Sequence, residues 1–335
     1  MLDAEDKERW LKEFQKSSQR IVVIHVPQWG GISKSTKIFF KETFPLQPNL
    51  TQQHIDYYTD LFKEANVEHI ILSGGEWTQL ELVHQYKKAN PNARLDVIWH
   101  GNYLQFSSPY DWASFERILN LHNDGLINKI GVLKKGMEEF LSISGYRSKL
   151  LSNYIPLIAE KASIPFEGGP HIGIWTGTNN WKIPFAMLAA LKFIPGSLLY
   201  ATGVTQLVKN FVDHFKIPYN FLHDNLISPN LLEKIIEKMH LCLYITIAEC
   251  SPMMPIESLS LGVPCLIGPN NHLFEDAPYL HSRLVVDYPE RADVIARYIS
   301  QALEERENIV LEYGKYAKQY NEKSKEFLAE FLAYS

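Results

Sequence analysis

Two carboxylates, Glu249 and Glu257, flank the stretch Cys250-Ser251-Pro252-Met253-Met254-Pro255-Ile256, where the residue types lend themselves most directly to chemistry. An apolar strand pattern from Leu241 to Ile247 leads into Glu249. A helix is expected to start near Pro255, and Gly262-Val263-Pro264 stops it before the next strand pattern at Cys265. Two acids then bracket a helix N-terminus, whose N–H groups and dipole suit an anion such as a diphosphate, while the carboxylates accept hydrogen bonds from sugar hydroxyls. The same residues also fit a plainer account: Glu257 as an acid favoured in a first helical turn, Glu249 as a loop acid. The stretch by itself leaves both open.

Three other loops follow strand patterns. In Thr176-Gly177-Thr178-Asn179-Asn180-Trp181-Lys182 the lysine is a candidate to neutralise a leaving diphosphate, because a fixed cation in a water-poor site stabilises charge as it develops. A solvated surface lysine is the competing account. In Trp99-His100-Gly101-Asn102 a neutral imidazole can hydrogen-bond a hydroxyl, and the adjacent glycine allows close backbone approach. A strand-end histidine is equally at home as a structural group. Gln28-Trp29-Gly30-Gly31 places two glycines after the first strand pattern, a weak signal by itself.

The elements that must position these loops come from an alternation of short apolar runs with longer helical periodicities, the mark of βαβ units on parallel sheets. Expected strands in the first half are Arg20–Val26, His69–Ser73, Arg94–Trp99, Lys129–Leu133 and Leu150–Ile155, with helices over Gln53–Ala65, Thr78–Ala89 and Tyr110–Asn123. The segment Ala162 to His171, with two prolines and adjacent glycines, reads as a connector. Strands are expected after it at Ile172–Trp175, Ser197–Thr202, Tyr219–Leu222, Leu241–Ile247, Cys265–Ile267 and Leu284–Val286. Helical patterns follow over Asp293–Arg306 and Ile309–Phe331. Ligands of such sheets bind at the carboxyl ends of the strands, where all four loops fall.

Composition narrows the function further. A chain of 335 residues, 46% hydrophobic and 21% charged, folds and is long enough for two domains. With 33 Lys plus Arg against 38 Asp plus Glu, the net charge of -5 supplies no field for nucleic acid phosphates. No apolar run approaches the roughly 20 residues that span a bilayer, and the charged Met1 to Gln19 segment is unlike a secretory signal. Cys242, Cys250 and Cys265 form no CxxC pair, which fits a reducing, cytoplasmic setting. Lys129, Lys134, Lys135, Arg147 and Lys149 form a local basic cluster that suggests peripheral contact with the inner membrane face, but Glu138 and Glu139 interrupt it and favour a solvated surface. Asn270-Asn271-His272 with Glu275 and Asp276 matches no standard metal spacing, and the absence of GxGxxG argues against a nicotinamide dehydrogenase.

The stretch from Glu249 to Pro264 resembles the E-x7-E motif of the retaining, metal-independent GT-B glycosyltransferases of the family 4-like group, with Gly262-Val263-Pro264 matching the turn that follows it. The resemblance implies an α/β GT-B fold: two Rossmann-like domains with parallel sheets facing a central cleft. These would be an acceptor-side domain at 1–165, a nucleotide-sugar domain at 166–310, and a terminal helix at 311–335 crossing back. It implies that Glu249 contacts the transferred sugar, Glu257 binds the ribose, and Lys182, with Gly177 and Thr178 in its loop, meets the diphosphate. Ser251, Met253 and Met254 would supply amide donors, His100 would face the donor sugar, and Gly30 and Gly31 would approach the donor phosphates. The implied reaction moves a hexose from a nucleotide diphosphate sugar to a glycan, glycolipid or glycoprotein hydroxyl with retention, without a metal or other cofactor. Two departures stand out: Pro252 has no N–H to give, and Thr178 and Asn179 stand where the family commonly has an arginine before the lysine. They keep a non-catalytic GT-B subunit in view, and a nucleotide-sugar 2-epimerase, which shares the fold and the donor, is the nearest rival.

Overall fold

The structure, a computed structural model, describes residues 8, 10–12, 14, 20–158, 164–175, 182, 184–222 and 229–333. The chain divides into two units, Met1–Tyr154 with Ser324–Ser335, and Ile155–Lys323. The division thus falls at Tyr154–Ile155, where the connector composition had suggested 165/166.

The first unit runs β1 (Ile21–His25), α1 (Gly30–Phe39), β2 (Phe44–Pro45), α2 (Gln52–Glu64), β3 (His69–Ser73), α3 (Trp77–Ala89), β4 (Arg94–Trp99), a 3-10 turn (Tyr103–Ser107), α4 (Pro109–Asn123), β5 (Lys129–Val132), α5 (Met137–Ile143) and β6 (Ser148–Leu150). Among the described residues the strands form one parallel sheet in the order β2-β1-β3-β4-β5-β6. Local chemistry fixes the helix starts. Thr51 accepts the His54 N–H ahead of α2, and Ser108 accepts the Asp111 N–H while Pro109 takes the first position of α4, which needs no N–H. Phe62, Tyr86, Phe115 and the apolar faces of β1, β3 and β4 form its core. The register sets His25 opposite Ser73 and Ser73 opposite Ile98, so the carboxyl ends of β1, β3 and β4 lie side by side.

The second unit runs β7 (His171–Ile174), α6 (Pro184–Ala190), β8 (Leu198–Ala201), α7 (Gln206–His214), β9 (Tyr219–Phe221), α8 (Pro229–Ile236), β10 (Leu241–Tyr244), α9 (Met253–Ser260), β11 (Cys265–Ile267), α10 (Pro278–Leu284), α11 (Ala292–Glu304) and the long α12 (Arg306–Leu332). Its described strands form a second parallel sheet, β11-β10-β7-β8-β9. Residues of α12 from Ser324 onward belong to the first unit. There Arg94 donates to the carbonyls of Phe331, Leu332 and Ala333 at 2.7 to 3.1 Å, and Lys129 to those of Glu330, Phe331 and Ala333. Two cations thus satisfy the orphan carbonyls that end a helix. The buried Asp96 carboxylate holds Arg94 at 2.7 Å and His69 at 2.9 Å.

Several elements differ from expectation. Leu150–Ile155 is a strand only over Ser148–Leu150, because its neighbour β5 ends at Val132 and leaves the later residues no ladder partner. Leu241–Ile247 stops at Tyr244, opposite Ile267, for the same reason. Leu284–Val286 is not a strand: Pro278 starts a helix that takes Leu284, and Val285 keeps a single bridge to Ile267. Gly30 and Gly31 open α1 instead of lying in a loop. In the basic cluster, Lys129 caps α12 as above and Lys149 pairs with Glu138 and Glu330. No helix among the described residues is long and apolar enough to cross a membrane.

Candidate functional site

In the second unit the structure brings Lys182 and Glu249 together through a residue the sequence reading overlooked. Tyr244 is the last residue of β10. Lys182 Nζ donates to Tyr244 Oη at 3.0 Å, and Tyr244 Oη donates to Glu249 Oε1 at 3.0 Å. Lys182 Nζ lies 3.8 Å from the same carboxylate oxygen and 5.1 Å from the Tyr244 ring centre. Burial and the Glu249 carboxylate push the Tyr244 phenol far above its ordinary range, so it stays a donor. The result is a cation and an anion held in register by one hydroxyl at the carboxyl end of the sheet.

Helix α9 begins beside this group at Met253, two residues earlier than expected. Its N-cap is Pro252, with no side-chain cap bond, and Pro255 is its third residue, so two of the positions at this helix start carry no N–H. Met253 and Met254 are the first residues of the helix that carry an N–H. Glu257 consequently stands one turn into the helix instead of in its first turn, which removes the plain dipole account of that acid. Ser251 lies in the bend just before the helix, half-buried. Gly177 and Thr178 lie outside the described residues. All three cysteines are buried, and Cys242 Sγ accepts the Trp175 indole N–H. Among the described residues no group of three His, Cys, Asp or Glu side chains is gathered to hold a metal ion, and His272 is buried against the Tyr320 hydroxyl at 2.7 Å.

In the first unit the strand ends line a cavity of about 330 Å³, walled by Trp29, Trp99, His100, Gln105, Tyr110 and Asp111 with Gly74 and Gly75 at the β3 turn. His100 follows β4, and its Nε2 shares a 2.8 Å hydrogen bond with Ser73 Oγ, which in turn meets Thr36 Oγ1 at 2.6 Å. Burial, with the neighbouring His25, pushes the His100 imidazole down to about 3. It is therefore neutral at physiological pH.

The structure gives Gly101 a different reason from the expected one. A Cβ there would meet the Trp99 indole at 2.7 Å, so the glycine admits the Trp99 ring that walls the cavity. Gly30 and Gly31 are the opposite case, since a Cβ at either meets nothing within 4 Å. Both can therefore be reached by a ligand, and the fold does not demand either. Trp29 and Trp99 stood inside motifs already noted, but nothing in their spacing marked them as walls. Tyr110 and Asp111 had one signal, Ser108-Pro109 opening a helix right after the β4 loop.

No protein-family model matches the sequence, and no curated protein does. Solved structures do match in shape. HepE from Anabaena, in complex with UDP and glucose, is 13% identical with a TM-score of 0.70, covering 92% of this chain and 99% of that one. A glycosyltransferase from Rickettsia africae is 13% identical with a TM-score of 0.65, over 94% and 99% of the two chains. Sucrose-phosphate synthase from Thermosynechococcus elongatus is 14% identical with a TM-score of 0.61, over 92% and 94%. The chain has the GT-B fold.

Proposed function

We propose that the protein is a hexosyltransferase that moves a sugar from a nucleotide diphosphate donor to an acceptor hydroxyl with retention at the anomeric carbon. The observation that carries this reading is the Lys182–Tyr244–Glu249 constellation beside the start of α9. Its residue types match the two ends of a donor. Lys182 and the Met253 and Met254 amides face a diphosphate, stabilising the charge that grows as the glycosidic bond breaks. Glu249, oriented by the Tyr244 hydroxyl, accepts from hydroxyls of the transferred sugar, and Glu257 does so from the ribose. The leaving phosphate takes the acceptor proton on the same face of the sugar, so no carboxylate acts as nucleophile and no metal is required.

HepE, whose structure holds UDP and glucose, makes a uridine diphosphate hexose the first donor to try. The acceptor site is assigned to the first-unit cavity, where His100 is within reach of a sugar hydroxyl, while Gly30 and Gly31 remain assigned to the donor phosphates. The test is release of nucleoside diphosphate from UDP-, GDP- and dTDP-hexoses with a panel of glycan and glycolipid acceptors. Acceptor-dependent release with an α-configured product from an α-configured donor supports the reading. Epimerised sugar nucleotide formed without acceptor, or no turnover of any donor, contradicts it.

A further inference from the structure

We infer that the acceptor taken by the first-unit cavity is an uncharged sugar, presented as a free saccharide or as the terminal residue of a neutral glycan, and not a sugar phosphate or sugar acid. The inference deepens the transferase reading and rests on it for the word acceptor. What decides it is charge. Among the described residues that line the cavity there is no lysine and no arginine, and the one acidic side chain is Asp111. Recognition of a phosphate or carboxylate needs cationic, preferably forked, donors, and an acid in the wall repels such a group. His100 does not substitute for them, because its ring is bonded to Ser73 and stays neutral.

The wall suits a hydroxylated ring instead. Trp29 packs on Gly74, where a Cβ would come within 3.2 Å of its indole, and Trp99 packs on Gly75 and Gly101, where a Cβ would come within 3.0 and 2.7 Å of its ring. The part-exposed Trp29 indole and the half-exposed Tyr110 ring offer apolar surface to sugar C–H groups, with the buried Trp99 behind them. Between them are complementary polar groups. The Gln105 carboxamide oxygen is taken by the Asn102 N–H, so this side chain offers its NH2 to a sugar oxygen. Asp111 accepts from hydroxyls. A volume of about 330 Å³ is at the small end of ligand pockets, which run from roughly 300 to 1,000 Å³, and suits a single ring over an oligosaccharide.

The experiment is ligand-observed NMR of the full chain with methyl α- and β-hexopyranosides, hexose 6-phosphates and hexuronates, needing no nucleotide and no turnover. A neutral glycoside is expected to bind at least tenfold more tightly than its phosphate or uronate counterpart. Trp29→Ala is expected to weaken the glycoside at least tenfold. Asp111→Asn, which keeps shape and fold, is expected to weaken the glycoside several-fold and to narrow the gap to the phosphate. Preference for the phosphate or uronate in the wild type, binding of none of the compounds, or glycoside binding indifferent to both substitutions overturns the inference. Glycoside binding by a protein that turns over no nucleotide sugar leaves this inference standing and removes the transferase reading.

Discussion

The two units solve one geometric problem with opposite chemistry. Each presents a candidate site at the carboxyl edge of a parallel sheet, where the strand-to-helix loops gather. In the second unit the edge carries full charges, Lys182 and Glu249, tied by the Tyr244 hydroxyl next to a helix start. In the first unit it carries indoles, a phenol, amides and a histidine held neutral, with Asp111 the only acid among the described lining residues. The fold supplies the place and the side chains supply the ligand. On the proposed reading, a donor with a diphosphate goes with the charges and a neutral acceptor ring with the aromatic walls.

The comparison is broken most severely at the charged edge. Lys182→Ala and Glu249→Ala are each expected to lower kcat for transfer by about 10² to 10³ while leaving the circular dichroism and melting curve of the wild type, since each removes one electrostatic contact made in the transition state. An effect under about threefold in steady-state assays would place the chemistry elsewhere.

At the aromatic edge the expected loss is stability. Gly101→Ala puts a methyl at 2.7 Å from the Trp99 indole, and overpacking of this kind costs roughly 1 to 3 kcal/mol in a denaturant titration. Loss of acceptor binding should accompany it, because the displaced ring is a cavity wall.

Tyr244→Phe sharpens the view of the charged edge. It keeps the ring under Lys182 and removes the hydroxyl that orients Glu249, so the account expects about a tenfold fall in kcat/KM for the donor, equivalent to ~1.4 kcal/mol. A larger loss than that of Glu249→Ala would make the phenol, not the acid, the group that meets the sugar.

Acidity probes the neutral edge. The folded-state pKa of His100 lies at about 3, below the ordinary histidine value near 6.5, so between those limits the unfolded chain binds the extra proton. Stability from this group is complete above that window and is lost as pH falls through it. His25, lowered mainly by burial, acts in the same direction. His100→Gln should flatten the dependence of unfolding free energy on pH between 4 and 6, and an unchanged slope would show that the ring is not held neutral.

The smallest effect is expected at Gly30→Ala and Gly31→Ala. Open space and a helical setting predict a stability change within a few tenths of a kcal/mol, favourable if anything. A fall in donor or acceptor affinity at unchanged stability would then report direct contact with ligand.

Much of the frame was legible in the sequence because buried parallel strands are written as short apolar runs. His69–Ser73, Arg94–Trp99 and Cys265–Ile267 have the bounds their composition suggests. Limits set by partners were not legible: Leu151 and Ile245 are as apolar as the strands they follow, but the neighbouring strands end first. Helix α1 was hidden because adjacent glycines resemble a loop, and α10 because Leu284-Val285-Val286 suits a strand and a helix end alike. At the charged edge, Glu249 and Lys182 could be picked out by type and position. Tyr244 could not, since a tyrosine ending an apolar strand looks like core until its hydroxyl is placed between two charges. The cavity walls come from three separate loops, and only the β1–β3–β4 register brings Trp29, His100 and Tyr110 to one place.

The central claim is that the charged edge of the second unit holds a nucleotide diphosphate sugar, and calorimetric titration of the full chain with UDP-, GDP- and dTDP-hexoses tests it most directly. One of them is expected to bind at one site per chain, and Lys182→Ala is expected to weaken it at least tenfold. Binding of none of them, or equal affinity with and without the Lys182 ammonium, would contradict the account.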